Sequence, residues 1–383
     1  MSSSNIQFIT NQRDFESCLG SLSSSNVLAM DTEFVRTNTF YPNLGLLQLG
    51  DGDGCFLIDP LEVTDWSPFK SMLSDASKHF IVHSAGEDLN LLWAEFGVLP
   101  ANLIDTQIAC GLTGLGFSLS YQALVAELLD IELEKSETRS DWLRRPLTDS
   151  QLDYAALDVL HLHEIWDHLR TKLEQLKRLD WLAEESTALK LITMAAEDSS
   201  NWETLCCDLS NAWKLSEPAL KNLQLVCYWR ELEARERNKP RNWIGSDRDL
   251  VIVAKDCCRP GKTIAQQIHD NPDLDKRFKS RYGSKLSTLL EYPEWQLVEL
   301  DARDLNRPLP PVMRNALKAC QKIIRARAEQ LDLAPELLGR KRQIVQLLQD
   351  VQKEGLQAWP GVFSGWREQI LAADLKPVLE RAL

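Results

Sequence analysis

VLAMDTEFV, residues 27–35, is an apolar, partly β-branched run broken by two carboxylates. Such a run reads as a buried strand. Side chains alternate faces along a strand, so Asp31 and Glu33, two residues apart, emerge on the same side. A buried carboxylate without a partner is costly or takes up a proton, so two of them together call for a cation between them. A divalent metal is the simplest such cation. The alternative, for this segment by itself, is a strand end whose acids are solvated.

Two further segments carry matching groups. In LTDSQLDYAALDVLHLHEIWDHL, residues 147–169, apolar residues recur at helical spacing from Leu152 to Ile165, and Thr148 with Gln151 makes a capping box just after Pro146. Tyr154 and Asp158 then share one helix face, although an ordinary helix surface presents such pairs too. HFIVHSAGEDLNLLWAEFG, residues 79–97, reads as a strand from Phe80 to His83 that turns through Ser84-Ala85-Gly86 into a helix ending near Gly97. Asp88 falls in its first turn, where the helix dipole favours an anion, and Glu87 is its neighbour and rival.

The order D-x-E, then an Asp early in a helix that follows a strand, then Y-x-x-x-D, resembles the DEDD exonuclease superfamily in its tyrosine-bearing branch. The histidine branch would place His at position 153, which is Asp here. The longer strings DTEFVRTNTFYPNLGLLQL (31–49), HSAGEDL (83–89) and SDWLRRPLTDSQLDYAALDV (140–159) resemble the ribonuclease D family in particular. This resemblance implies an α/β ribonuclease H-like exonuclease domain, a mixed sheet flanked by helices. It also implies two divalent ions, magnesium or manganese, held by Asp31, Glu33, Asp88 and Asp158, with Tyr154 orienting the attacking water. In the family pattern Asp31 bridges both ions, Glu33 and Asp158 complete the nucleophile side, and Asp88 supports the second ion. The expected reaction releases nucleoside 5′-monophosphates one at a time from RNA 3′-hydroxyl ends, with transfer RNA precursors and other small structured RNAs as substrates.

Outside these segments the chain alternates strands and helices at first. LGLLQLG and CFLIDPL flank Asp51-Gly52-Asp53-Gly54, a hairpin turn. Helical patterns follow at Ile104–Leu112, Leu119–Leu129 and Leu147–Leu173, giving an exonuclease domain over residues 1–173. Residues 174–214 read as a helical connector whose Trp181, Trp202 and Trp213 dock on a neighbour. Residues 215–295 resemble an HRDC domain (helicase and ribonuclease D C-terminal), and 305–383 a second, more divergent copy, so two all-α HRDC-like helical bundles follow the catalytic domain.

Charge is divided along the chain in the same way. The 383 residues carry a formal charge of −13, but residues 1–170 hold 9 Lys+Arg against 25 Asp+Glu, whereas the remainder holds 34 against 31. Phosphate binding relies on cations, so bound metals must offset the acid locally and the C-terminal half must help hold RNA. In the first bundle Arg230, Arg235, Arg237, Lys239, Arg241 and Trp243 combine cations with a stacking ring, against the alternative of a helix face paired with Glu231, Glu233 and Glu236. Near the acids, Phe34, Arg36, Tyr41 and Gln48 are candidates for a wall around the terminal nucleotide, and Arg139, Trp142, Arg144 and Arg145 for contacts to substrate phosphates. A core or hinge role is the alternative for the aromatics of the wall, and pairing with Glu137 and Asp141 for the group before the Tyr154 helix.

MSSSNIQFITNQRDF lacks the basic start and apolar stretch of a signal peptide, and no run of about 18 apolar residues occurs. The nine cysteines form no C-x-x-C pattern, so reduced thiols are expected. The expectation is a cytoplasmic monomer with no membrane and no obligate protein partner. Two rivals remain open on sequence: a DNA-directed 3′→5′ exonuclease with the same acids, and a noncatalytic RNA-binding scaffold.

Overall fold

The computed structural model describes residues 5–133, 137, 140–257, 261–301, 304–357, 359 and 361–382. Two compact units result: residues 1–35, 42–193 and 312–383 form the first, and residues 36–41 and 194–311 the second.

The first unit is built on six strands: β1 (Asn5–Ile9), β2 (Val27–Val35), β3 (Asn43–Gly50), β4 (Gly54–Ile58), β5 (His79–Val82) and β6 (Asn102–Asp105). They lie in the order β1-β4-β3-β2-β5-β6. Of these described strands only β3 runs against the rest, pairing antiparallel with β2 and β4. The expected mixed sheet is therefore present. Asp51 closes the β3–β4 hairpin by accepting from the Asp53 and Gly54 amides, with Gly52 at φ 95°. The parallel edge strand β1 is absent from the sequence reading; it leaves Ile6 and Phe8 exposed and buries Ile9, so its apolar residues show no alternation toward the core.

Helices α1 (Gln12–Leu22), α2 (Ser67–Ser74), α3 (Gly86–Phe96), α4 (Thr106–Thr113), α5 (Tyr121–Leu129), α6 (Asp149–Leu160), α7 (Leu162–Leu176) and α8 (Leu179–Ala196) accompany the sheet. Two helical expectations need correction. The pattern at Ile104–Leu112 is the end of β6 followed by α4: the Asp105 carboxylate accepts from the Gln107 and Ile108 amides and starts the helix there. The pattern at Leu147–Leu173 is two helices broken at His161. Tyr121 explains the break, because its hydroxyl donates to the Leu157 carbonyl (2.8 Å) and accepts from the His161 amide (3.3 Å). A side chain thus takes the place of one rung of the helical ladder.

The C-terminal helices α14 (Pro311–Leu331), α15 (Pro335–Leu338), α16 (Lys341–Glu354) and α17 (Trp366–Glu380) belong to this first unit, Val312 onward. Arg178 ties them down by donating to Leu112 O (2.7 Å) and Leu331 O (2.6 Å), and Trp181 stacks on Trp366 at 4.5 Å.

The second unit contains α9 (Glu217–Glu236), α10 (Arg241–Ile244), α11 (Asp247–Asp256), α12 (Ile264–Asp270) and α13 (Lys276–Glu291) around a core that includes Leu223, Trp229, Leu250 and Tyr282. Phe40, from the short segment after β2, is part of that core. Among the described residues no helix is long and apolar enough to cross a membrane.

Candidate active site

Helix α6 packs across β2, β3 and β4, which brings the Y-x-x-x-D face over the strand that carries D-x-E. Carboxylate oxygens of Asp31, Glu33 and Asp158 lie within 4.8 Å of one another. All three are half-buried. Asp88 sits outside that trio, in the first turn of α3, buried and accepting from the Thr32 hydroxyl at 2.5 Å. It can stand there because β5 pairs with β2 only as far as Ala29, which leaves the next stretch of β2 open to α3.

Electrostatics mark the cluster out. Burial, then repulsion from Asp88, Asp158 and Glu33, raises the Asp31 carboxyl well above the usual range. Burial with repulsion from Asp158 and Asp88 pushes Glu33 up to about 9, and burial brings Asp88 and Asp158 to about 7 despite the hydrogen bonds they accept. Burial, then the charges of Asp158, Glu33 and Asp31, raises the Tyr154 phenol as well. Among the described residues none of the four acids has a salt-bridge partner. An all-oxygen set that repels itself and meets no protein cation suits hard divalent ions.

Residues 6–174 match the family model of 3′–5′ exonucleases, and residues 311–375 match that of the ribonuclease D C-terminal HRDC domain. Curated ribonuclease D of Pseudomonas paraeruginosa is 38% identical over 93% of this chain and 92% of its own length. Ribonuclease D of Escherichia coli is 37% identical over 98% of this chain and 99% of its own. The chain belongs to the ribonuclease D family. It also matches the crystal structure of Escherichia coli RNase D, with a TM-score of 0.84 at 34% identity, over 98% of this chain and 99% of that one. Membership makes it an enzyme, a 3′→5′ exoribonuclease of the DEDD superfamily, and makes divalent metal use the role of its acidic cluster.

The other expected site residues fare differently in this ribonuclease D. Trp142 is buried, its ring tilted beside Tyr154 with centroids 6.3 Å apart. Gln48 is fully buried opposite Asp31, neither amide atom hydrogen-bonded, so it lies beneath the carboxylates rather than on an open wall. Phe34 packs against the main core. Arg36 and Tyr41 belong to the second unit, where the Tyr41 hydroxyl bonds Glu197 and Arg235. Arg139 lies outside the described residues.

In the second unit the pairing alternative holds for three of the arginines, Arg235, Arg237 and Arg241, with Arg237 bonded to Glu233 at 3.2 Å. Glu231, 1% exposed, takes Arg235 at 2.9 Å and Arg241 through both oxygens at 2.5 and 2.7 Å. Arg235 also pairs with Glu197 and lies over Phe40 and Trp202. A sealed carboxylate demands such partners, so Arg235 is internal and Arg241, itself exposed, is held to Glu231. Arg237, Lys239 and the exposed Trp243 line a cavity of about 910 Å³ with Arg248, Arg277 and Arg281.

Two supporting acids escaped the sequence reading. Asp105, 3% exposed, accepts from the Ser84 and Ala85 amides and so fixes the turn that leads into Asp88, besides capping α4. Asp59, also 3% exposed, pairs with Arg145 from 86 residues away, a separation that no local pattern reports.

Proposed function

We propose that Asp31, Glu33, Asp88 and Asp158 hold two divalent ions, magnesium or manganese, and that Tyr154 orients the water that hydrolyses the terminal phosphodiester of RNA. The observation that carries this reading is the trio of carboxylates within 4.8 Å, with Tyr154 one helical turn before Asp158 on the same face of α6. Asp31 lies between the other groups: Asp88 is the first of the charges that repel it, followed by Asp158 and Glu33. Repulsion from all three neighbours supports the family pattern, in which Asp31 would be shared by both ions. When bound, the ions supply Lewis acidity at the attacking water and the scissile phosphate. Tyr154 keeps its proton, since its phenol is raised, and acts as a hydrogen-bonding guide rather than a base. The phosphorus–oxygen bond to the penultimate 3′-oxygen breaks, leaving a new 3′-hydroxyl and a free nucleoside 5′-monophosphate.

All five groups come from a single chain, so this reading needs no second copy and no protein partner. The groove lined by Arg237, Lys239, Trp243, Arg248, Arg277 and Arg281 is where we place the body of the RNA: five cations for phosphates and an indole for a base. Transfer RNA precursors with a short 3′ tail fit the family and are our reading of the substrate. The eight described cysteines are all buried, which fits a reducing compartment and a cytoplasmic enzyme.

A 3′-tailed stem of RNA, end-labelled, tests this directly with magnesium present. Wild type is expected to release mononucleotides, Asp31→Asn to lose activity by about 10³-fold, and Tyr154→Phe to slow turnover while still binding metal. Full activity of Asp31→Asn would overturn the assignment. A deoxyribose version of the strand, degraded faster than the ribose one, would move the enzyme to DNA.

A further inference from the structure

Arg145 stands four residues before the start of α6 and touches none of the site acids, yet every donor on its guanidinium is used. Nε and one Nη2 hydrogen bond go to Asp59 at 2.6 Å each, and Nη2 also reaches Gly45 O at 2.7 Å. Nη1 donates to Trp142 O at 2.8 Å and Arg144 O at 3.0 Å. A planar fork with five donors matched to five acceptors has one orientation. Asp59, one residue past β4, is itself 3% exposed, and its backbone amide bonds Ile9 O of β1. The anchor is therefore part of the sheet.

What the fork holds is the backbone of Trp142 against Gly45. Gly45 is the extra residue where the β2–β3 register shifts, between the pairs Glu33–Leu46 and Phe34–Leu44. A Cβ at Gly45 would fall 2.6 Å from Trp142 Cβ and 2.7 Å from its carbonyl oxygen, so only glycine lets the two backbones meet so closely. The Trp142 ring, 3% exposed, then lies beside Tyr154 at 6.3 Å and 37°. Tyr154 is only half-buried. Its ring has a wall on the Trp142 side, while its hydroxyl must meet Asp158.

We propose that Arg145 is a positioning residue for Tyr154, acting through Trp142. The fork fixes the Trp142 backbone to the β3 bulge beside Glu33, and the indole limits the swing of the phenol. Carboxylates on β2 and the phenol on α6 are then referenced to the same point of the sheet. Because water placement tolerates little error, loosening the fork lowers the chemical step while leaving the grip on RNA intact.

This inference rests on the reading of Tyr154 given above, and a double-mutant cycle separates the two. The full chain carries Arg145→Lys, which keeps the charge but loses the fork, Tyr154→Phe, and both together; kcat and KM are measured on the tailed RNA. Arg145→Lys is expected to lower kcat about tenfold with KM moved less than twofold. In the Tyr154→Phe background the same change is expected to cost less than twofold, since no hydroxyl remains to be placed. Effects that multiply in the double variant, or a rise in KM equal to the fall in kcat, overturn the proposal. If Tyr154→Phe alone retains full activity, the reading of Tyr154 fails first and takes this inference with it. Should Arg145→Lys melt early, Trp142→Phe in the same cycle tests the indole with the fork in place, and the same two patterns decide.

Discussion

Two groups of acids occupy the two units of this molecule, and they are treated in opposite ways. In the second unit Glu231 and Glu233 are sealed from solvent, each between two cations: Arg235 and Arg241 for the first, Arg237 and Lys285 for the second. Burial raises the Glu233 carboxyl, but the hydrogen bonds and charges of Lys285 and Arg237 prevail and hold it below its usual range. In the first unit Asp31, Glu33 and Asp158 are less deeply buried, have no cation among the described residues, and are all raised. Depth of burial is therefore a poor guide to function. What separates the structural acids from the proposed metal ligands here is whether the chain supplies their counter-charge.

Crossing two substitutions breaks or sharpens that contrast most strongly. Asp31→Asn is expected to abolish turnover, by about 10³-fold, yet to raise the melting temperature of metal-free protein at alkaline pH, where the cluster is forced to give up its protons and a neutral amide relieves the repulsion. Glu231→Gln should do the reverse. Removing the charge between Arg235 and Arg241 leaves two guanidiniums facing an amide, a loss of about 3 kcal/mol, while no group of the acid cluster is altered. Thermal melts and turnover on a short oligoribonucleotide check both. A stable Glu231→Gln protein, or an Asp31→Asn protein less stable than wild type without metal at that pH, would contradict the contrast.

Metal removal comes next in size. The site carboxyls titrate from about 4 in an unfolded chain to about 7 for Asp88 and Asp158 and about 9 for Glu33 when folded. The fold thus keeps protons that the unfolded chain releases, and metal-free stability falls as pH rises through that window. Divalent ions replace those protons. Stabilisation by magnesium over a chelator control should accordingly grow from pH 6 to pH 8, reaching about 2.7 kcal/mol at a hundredfold excess over the dissociation constant. A magnesium shift that is flat with pH would mean the acids already carry their charges comfortably.

How much of this could be read from the chain depends on whether the cause was local. Asp31 with Glu33, and Tyr154 with Asp158, are set by the two- and four-residue periods of strand and helix, and their faces do converge. Glu231 with Arg235 is also an i to i+4 pair, but the second guanidinium, Arg241, arrives from beyond the end of α9, so the sequence left RNA contact and internal pairing open. β1 hid because its exposed Ile6 and Phe8 look like core. The break at His161 needed the Tyr121 hydroxyl, 40 residues away, and the Trp142 wall needed Asp59 at the end of β4. Each of these depends on a tertiary partner, which periodicity does not report.

The smallest effect tests the floor of the cluster. Gln48 stands fully buried opposite Asp31 with both amide atoms lacking partners, in a sheet whose neighbouring positions are Leu47 and Leu49. An unsatisfied buried amide costs about 1–3 kcal/mol, and methionine has a similar shape without that demand. If Gln48 merely fills space, Gln48→Met should stabilise the protein by about 1 kcal/mol and change kcat by less than threefold. Glutamine at that position then contributes through the Asp31 carboxylate only weakly. A loss of activity much larger than threefold, with stability gained, would show instead that the amide turns toward Asp31 during turnover, and that the chain supplies this acid with a hydrogen-bond donor even though it supplies no cation.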